Sequence, residues 1–115
     1  YSSIAKGILT GAFHFGKAQL KEGDFRRTRR LFLPEHLEKE TELIQLLKDI
    51  ADTRGATIAQ IAISWLLHQE GLTAAIVGTQ SEKHLVSNIQ AAEIKLSPAE
   101  LSSLDQVSRK VLTAL

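Results

Sequence analysis

The chain contains no cysteine and no methionine among its 115 residues, and it has only two prolines. Without cysteine there can be no disulfide, no thiolate nucleophile and no cysteine-bound metal. The sequence also lacks an apolar run of about 18 residues and a signal-peptide pattern, so it indicates neither a membrane span nor secretion. We therefore expect a cytoplasmic protein without a membrane partner.

An excess of charge of one sign is also lacking. Lys and Arg number 14 and Asp and Glu number 13, which gives a formal net charge of +1. Such a balance gives no reason to expect a nucleic acid as partner. Hydrophobic residues make up 43% of the chain, which is ordinary for one globular domain or for a piece of a larger one.

Helical periodicity is the strongest signal that is present. Apolar residues recur at helical spacing in residues 37–54, and Gly55 follows at the position where helices often end. The tetrapeptide TIAQ at 57–60 is a capping box that predicts a second, almost wholly apolar helix reaching Gln69. A third helix begins beside Ser81, and SPAE at 97–100 is a capping box that begins the last.

One segment has the pattern of a buried strand followed by a phosphate site. Residues 72–77 (LTAAIV) lie between Gly71 and Gly78, and their composition fits a strand of a parallel sheet. A strand, a glycine turn and a helix start at Ser81 would aim unpaired N–H groups and the positive end of a helix dipole at an anion. A single strand cannot satisfy its own backbone, so the pattern predicts that the chain is incomplete.

A cluster of arginines lies in the loop-like region at residues 12–36. Four of the five positions at 26–30 (RRTRR) are arginine. The ordinary interpretation is a solvated charge cluster. The functional interpretation is a clamp for an anionic ligand, because guanidinium groups suit phosphate.

Four segments, in this order, resemble aldo-keto reductases. They are residues 1–11 (YSSIAKGILTG, similar to YSPLxxGxLTG), 24–26 (DFR), the 57–67 helix and residues 78–88. The family's fold is a TIM (β/α)8 barrel of about 250 residues, and its members use NADP(H) to reduce carbonyls to alcohols. The resemblance implies an α/β fold class and the C-terminal third of such a barrel, predominantly α-helical as an isolated chain, with one or two short strands.

The resemblance also implies how the chain is organised. It predicts a cofactor-loop region at 1–36, two helices at 37–71, the last barrel strand at 72–78, and the last barrel helix with a C-terminal helix at 79–115. Phosphate sites of such barrels lie after the last two strands, which agrees with the predicted seat after residue 77.

Cofactor contacts are implied first for the N-terminal half. Tyr1 matches the aromatic residue that stacks on the nicotinamide ring. Ser2, Ile4 and Lys6 match the loop that lies along the pyrophosphate. Arg26 resembles the arginine of a belt that closes over the cofactor in some members.

Further contacts are implied around the glycine turn. Gly78, Thr79 and Gln80 match the segment beside the adenosine 2'-phosphate. His84 falls where members carry arginine, lysine or glutamine, and Asn88 falls where an asparagine meets the adenine edge. NADP(H) is the implied cofactor, with NAD as the open alternative, and each of these residues also has an ordinary role as a terminus, turn or solvated side chain.

No catalytic residue is implied. The family's Asp, Tyr, Lys and His tetrad lies in the first half of the barrel, and the chain's only tyrosine, Tyr1, matches the stacking position instead. None of the four histidines has a spacing partner that suggests a metal site or a nucleophile–base pair. We therefore expect that the isolated chain does not reduce a small carbonyl substrate.

Two other functions stay open. The first is a non-catalytic nicotinamide-binding or self-associating helical module, since a third of a barrel exposes apolar faces and favours a homo-oligomer, first of all a dimer. The second is a helix-turn-helix DNA binder, suggested by residues 57–62 (TIAQIA) and the arginines. The apolar segment 72–77 argues against it, because a recognition helix would need that place.

Overall fold

The structure, a computed structural model, describes residues 1–115. Its four α-helices are α1 (Pro34–Arg54), α2 (Ile58–Leu67), α3 (Glu82–Gln90) and α4 (Pro98–Ala114). Four short 3-10 helices lie at Ala5–Thr10, Phe25–Thr28, Arg30–Phe32 and Ala91–Glu93. The chain has no β-strand.

The helix ends follow local capping signals. The left-handed Gly55 ends α1 (φ 63°, ψ 31°) and its N–H donates to the last carbonyls of the helix. Both predicted capping boxes are confirmed, that of Thr57 with Gln60 and that of Ser97 with Glu100. Each satisfies two backbone N–H groups that would otherwise lack a partner.

Two predicted helix boundaries are different in the structure. Helix α1 begins at Pro34 rather than at residue 37, because proline at the first helical position has its φ angle preset for a helix and has no N–H to satisfy. Helix α2 ends at Leu67 rather than at Gln69, and turns connect it to Gly71, whose φ of 80° reverses the chain.

Helix α1 lies at the centre and packs against both α2 and α4. Its buried stripe contains Leu43, Ile44, Leu47 and Ile50 among other residues. From the neighbouring helices, buried side chains at Ile61–Ile63 and at Leu104 and Val111 complete the core. Burial of such apolar side chains is worth about 1.5–3 kcal/mol each and supplies the main driving force for this arrangement.

Polar contacts fix α2 against α4. The indole Nε1 of Trp65 donates to Asp105 Oδ1 at 2.8 Å, and Gln69 Nε2 donates to the same oxygen at 3.2 Å. The prediction that α2 is buried all round holds only for Ile61–Ser64, since Trp65 and the residues after it stay partly exposed.

The predicted strand at 72–77 is wrong for this chain, whereas the assignment of 72–78 to the last strand of a barrel stays a prediction. Residues 72–79 have no regular secondary structure, and Ile76 is 75% exposed. A strand needs a neighbour that pairs its N–H and C=O groups, and no strand is present beside this segment. The expectation of one or two short strands therefore fails, whereas the predominantly helical character is confirmed.

Candidate anion-binding groove

A groove of about 1120 Å³ lies where three distant segments meet: the N-terminal turns, the loop at 21–26 and the segment at 76–84. Of the predicted cofactor residues, those that line the groove are Ser2, Ile4, Lys6, Arg26, Gly78, Thr79, Gln80 and His84. The structure therefore brings together most of a set that is divided between the two ends of the sequence.

One hydrogen bond ties the two ends of the groove together. Ser3 Oγ donates to the carbonyl oxygen of Ile76 at 2.7 Å, across a sequence separation of 73 residues. Ile76 is otherwise largely exposed, so this bond holds the start of the chain against a segment with few buried contacts.

The N-terminal turns have an uncommon backbone. Ser2, Ala5 and Lys6 all have φ angles between 48° and 60°, in the left-handed region that residues with a side chain seldom adopt. Hydrogen bonds from the Ala5 N–H to the Ser2 carbonyl (2.8 Å) and from the Gly7 N–H to the Ile4 carbonyl (3.0 Å) hold these turns. Backbone strain of this kind is concentrated at ligand sites.

Arg26 is fixed by an acid in its own loop. Its Nη2 lies 2.6 Å from Asp24 Oδ2 and its Nε lies 3.0 Å from Oδ1, while its Nη1 donates to the Lys6 carbonyl at 3.3 Å. The side-chain hydrogen bonds from Arg26 lower the pKa of Asp24 to about 2. The same bonds to Asp24 raise the pKa of Arg26.

An aromatic pair supports the same guanidinium. Phe13 and Phe32 stack edge to face with ring centroids 5.2 Å apart. The guanidinium carbon of Arg26 lies 5.4 Å from the Phe13 centroid and 5.8 Å from that of Phe32, within cation–π range. Arg26 therefore joins the loop at 24–26 to the N-terminal turns and has few free N–H groups for a ligand.

The turn before α3 is held by its own hydroxyl groups. Thr79 Oγ1 donates to the Ser81 carbonyl at 2.9 Å, and Ser81 Oγ accepts from the His84 N–H at 3.2 Å. Gly78 has no positive φ, and a Cβ there would meet no atom within 4 Å. The space beside Gly78 leaves the backbone open to a ligand.

The residues that line the groove fit a phosphate group. Lys6, Lys21 and Arg26 bring positive charge, Glu22 and Asp24 bring negative charge, and Asp24 is already paired with Arg26. The N-terminus of α3 adds the positive end of a helix dipole and first-turn N–H groups that have no partner within the helix. The balance favours an anion.

Two of the predicted cofactor residues do not line the groove. Tyr1 is fully exposed and touches nothing that would hold its ring. Asn88 is partly buried on α3, one turn beyond His84 on the same side of the helix. The stacking role of Tyr1 and the adenine role of Asn88 stay predictions.

The other arginines of the cluster lie outside the lining of this groove. Arg27, Arg29 and Arg30 are exposed and do not line the groove, and Arg29 lies over the ring of Phe25 at 5.9 Å. For these three, the ordinary interpretation of a solvated charge cluster fits the structure.

A buried polar pair, His14 and Glu40, was not predicted from the sequence. His14 Nε2 lies 3.1 Å from the Leu37 carbonyl and 3.8 Å from Glu40 Oε2. Burial lowers the pKa of His14, and burial raises the pKa of Glu40 to about 7. The burial of Glu40 could have been predicted, because this residue falls on the inward stripe of α1, three and four residues before Leu43 and Ile44.

No helix of this chain combines the length and the apolar character that a membrane crossing requires.

A comparison with known protein families identifies the family of this chain. A family model described as the Aldo/keto reductase family matches residues 1–109. The chain belongs to the aldo-keto reductase family.

Several curated relatives agree with this assignment. The chain is 31% identical over 110 residues to an aldo-keto reductase of Strobilurus tenacellus, covering 96% of the chain and 32% of that relative. It is 34% identical over 104 residues to an NADP(+) aldo-keto reductase of Schizosaccharomyces pombe, covering 90% and 30%. It is 32% identical over 111 residues to the L-glyceraldehyde 3-phosphate reductase of Escherichia coli O157:H7, covering 92% and 32%. The chain thus spans about a third of the length of these relatives.

Proposed function

We propose that this chain provides the cofactor-phosphate side of an NADP(H)-dependent aldo-keto reductase that reduces a small carbonyl compound to an alcohol. The bound cofactor would supply the hydride for that reaction. The proposal rests on one observation above all: residues 2–6 and 76–84 meet in one groove whose charges suit phosphate. Membership of the family and an NADP(+) relative support the choice of cofactor.

Each part of the groove has a distinct task in this proposal. Lys6 and the first turn of α3 attract the phosphate groups, and the open backbone at Gly78 allows close approach. His84 and Gln80 lie beside the 2'-phosphate. Arg26 acts mainly by holding the Lys6 carbonyl in place through Nη1, while its Nε and Nη2 donate to Asp24.

The chain alone does not catalyse the reduction in this proposal. A proton donor for the carbonyl oxygen must touch the substrate. The only tyrosine, Tyr1, is fully exposed, and the two acids of the groove are the exposed Glu22 and Asp24, whose carboxyl group is paired with Arg26. The catalytic residues would belong to barrel segments that these 115 residues do not carry.

Calorimetric titration of the 115-residue chain with NADPH, NADH and adenosine 2',5'-bisphosphate tests the cofactor role. NADPH should bind more tightly than NADH, and the bisphosphate should compete with it. Lys6→Gln should weaken NADPH binding several-fold, as expected for the loss of a partly exposed ion pair with a phosphate group. Lys95→Gln, at an exposed site outside the groove, is the control and should not weaken binding. Equal and unsaturable heats for all three ligands would contradict the cofactor role.

A spectrophotometric assay separates binding from catalysis. The pure chain with NADPH and an aldehyde should show no loss of absorbance of the reduced cofactor. Sustained oxidation of NADPH that depends on the aldehyde would contradict the non-catalytic part of the proposal.

A second candidate function is self-association through the apolar side of α3. This helix has no buried residue, and its Leu85, Val86 and Ile89 are 45%, 47% and 63% exposed. Exposed apolar groups in one place favour association. Sedimentation velocity should show a dimer that Ile89→Glu dissociates, while Thr113→Glu, on an exposed site of α4, leaves it intact. A monomer at all concentrations would exclude this function.

A further inference from the structure

A second cavity lies on the other side of the N-terminal turns, between these turns, α1 and α4. Its volume is about 160 Å³, and its walls are mostly apolar, with Ile8, Ile44, Val111 and Leu112 among them. For comparison, a dry apolar cavity of about 150 Å³ holds one benzene molecule. The space therefore suits a ligand of roughly six heavy atoms.

Glu40 carries the one ionisable side chain of this wall. Glu40 is only 4% exposed, and its Oε2 has no hydrogen-bond partner. The nearest donor, His14 Nε2, is 3.8 Å away and lies 3.1 Å from the Leu37 carbonyl, to which it donates. With that proton committed to Leu37, Glu40 faces a hydrophobic cavity without a donor of its own.

A buried acceptor without a donor costs about 1–3 kcal/mol, and more when it is charged. Replacing Glu40 with a helix residue of apolar character would remove this cost, since its neighbours on the stripe, Leu43 and Ile44, are apolar. The carboxyl group therefore lacks a donor within the chain, and Glu40 lines the adjoining cavity, where a ligand can supply one.

We propose that this cavity binds a small hydrophobic primary amine, whose ammonium group donates to Glu40 and whose hydrocarbon part lies against Ile44 and Val111. Charge complementarity selects an amine over an alcohol of the same length, because a charge-assisted hydrogen bond is about twice as strong as a neutral one. The apolar walls favour an amine whose remaining part is hydrocarbon without further polar groups. The site is separate from the anion-binding groove, which shares none of these residues.

Methyl-detected NMR of the 115-residue chain tests this proposal with n-pentylamine, pentan-1-ol and n-pentane as probes. The amine should shift the methyl signals of Ile8, Ile44 and Val111 in a saturable way. It should bind about tenfold more tightly than the alcohol, the difference that one charged hydrogen bond supplies. Absence of saturable shifts at these methyl groups, or equal affinity for amine and alcohol, would overturn the proposal.

Two variants identify the role of Glu40. Glu40→Gln should abolish the preference for the amine while the alcohol still binds, and the unchanged amide pattern would show that the fold is kept. Glu38→Gln, on the exposed side of the same helix, is the matched control and should keep the preference. An amine preference that survives Glu40→Gln would also overturn the assignment.

Discussion

Ser3 and Ile76 are joined by a hydrogen bond of 2.7 Å from a hydroxyl to a main-chain carbonyl, although 73 positions separate them in sequence. The bond connects a segment of left-handed turns to a segment without regular secondary structure. The segment at 72–79 has few other constraints, so the shape of the groove depends on this connection.

Removal of this hydroxyl should loosen the groove more than it destabilises the fold. Ser3→Ala should lower the free energy of unfolding by at most about 1 kcal/mol, because the bond is solvent-accessible. Amide hydrogen exchange should rise at residues 76–80 and stay unchanged in α1. Ser103→Ala, on an exposed site of α4, is the control and should leave exchange at residues 76–80 unchanged.

The ionisation of Glu40 should make the free energy of unfolding depend on pH. Its pKa of about 7 in the folded chain lies above the ordinary 4.5, so the folded state binds this proton more tightly than the unfolded state. This contribution to stability is complete below pH 4.5 and is lost as the pH rises through 7, by up to about 3 kcal/mol. Denaturant titrations between pH 4 and 8 measure it.

The ionisation of His14 changes stability with pH in the opposite direction. A variant is therefore needed to separate the two contributions. Burial lowers its pKa from 6.5, so its contribution is lost as the pH falls below that value. The difference between the wild type and Glu40→Gln isolates the Glu40 part, and it should decline from pH 4.5 to 7. A difference that is flat with pH would show that the carboxyl group titrates normally.

The ion pair of Asp24 with Arg26 should slow the exchange of an Arg26 side-chain proton with water. The Arg26 Nε–H donates to Asp24 and should give a slowly exchanging NMR signal, whereas that of the exposed Arg27 should not. Asp24→Asn should abolish the signal. Because the pKa of Asp24 is about 2, the signal of the wild type should persist until the pH falls close to that value. Its loss near pH 4 would contradict the paired geometry.

The capping box of α4 should contribute measurably to stability. Ser97 Oγ accepts from the Glu100 N–H at 3.1 Å, and Glu100 Oε2 accepts from the Ser97 N–H at 2.7 Å. Ser97→Ala should lower the free energy of unfolding by about 1 kcal/mol. Ser102→Ala, within the same helix and exposed, should not lower it in the same chemical denaturation experiment, because alanine is the better helix former.

A structural feature could be predicted from the sequence when neighbouring residues alone decide it. The caps at Thr57 and Ser97 and the helix end at Gly55 were predicted correctly, because each is decided by residues within one turn. The strand at 72–77 was not, since strand formation depends on a partner elsewhere, and the chain provides none.

The groove was predictable only in part, and for a related reason. No local sequence pattern predicts that Lys6 lies near Gly78. The family resemblance implied it, and both residues line one groove in the structure. The binding of Arg26 by Asp24 depends on side-chain geometry that spacing does not specify. Glu40 was overlooked although its place in the period of α1 predicts burial.

Helix α3 has a consequence for how the molecule melts. It contributes no side chain to the interior, whereas α1 is enclosed by α2 and α4. Segments with few buried contacts open at lower free energy than the core. On heating, α3 and its part of the groove should therefore detach while most of the helical signal survives, so that a protein judged folded by circular dichroism can already have lost the proposed anion site.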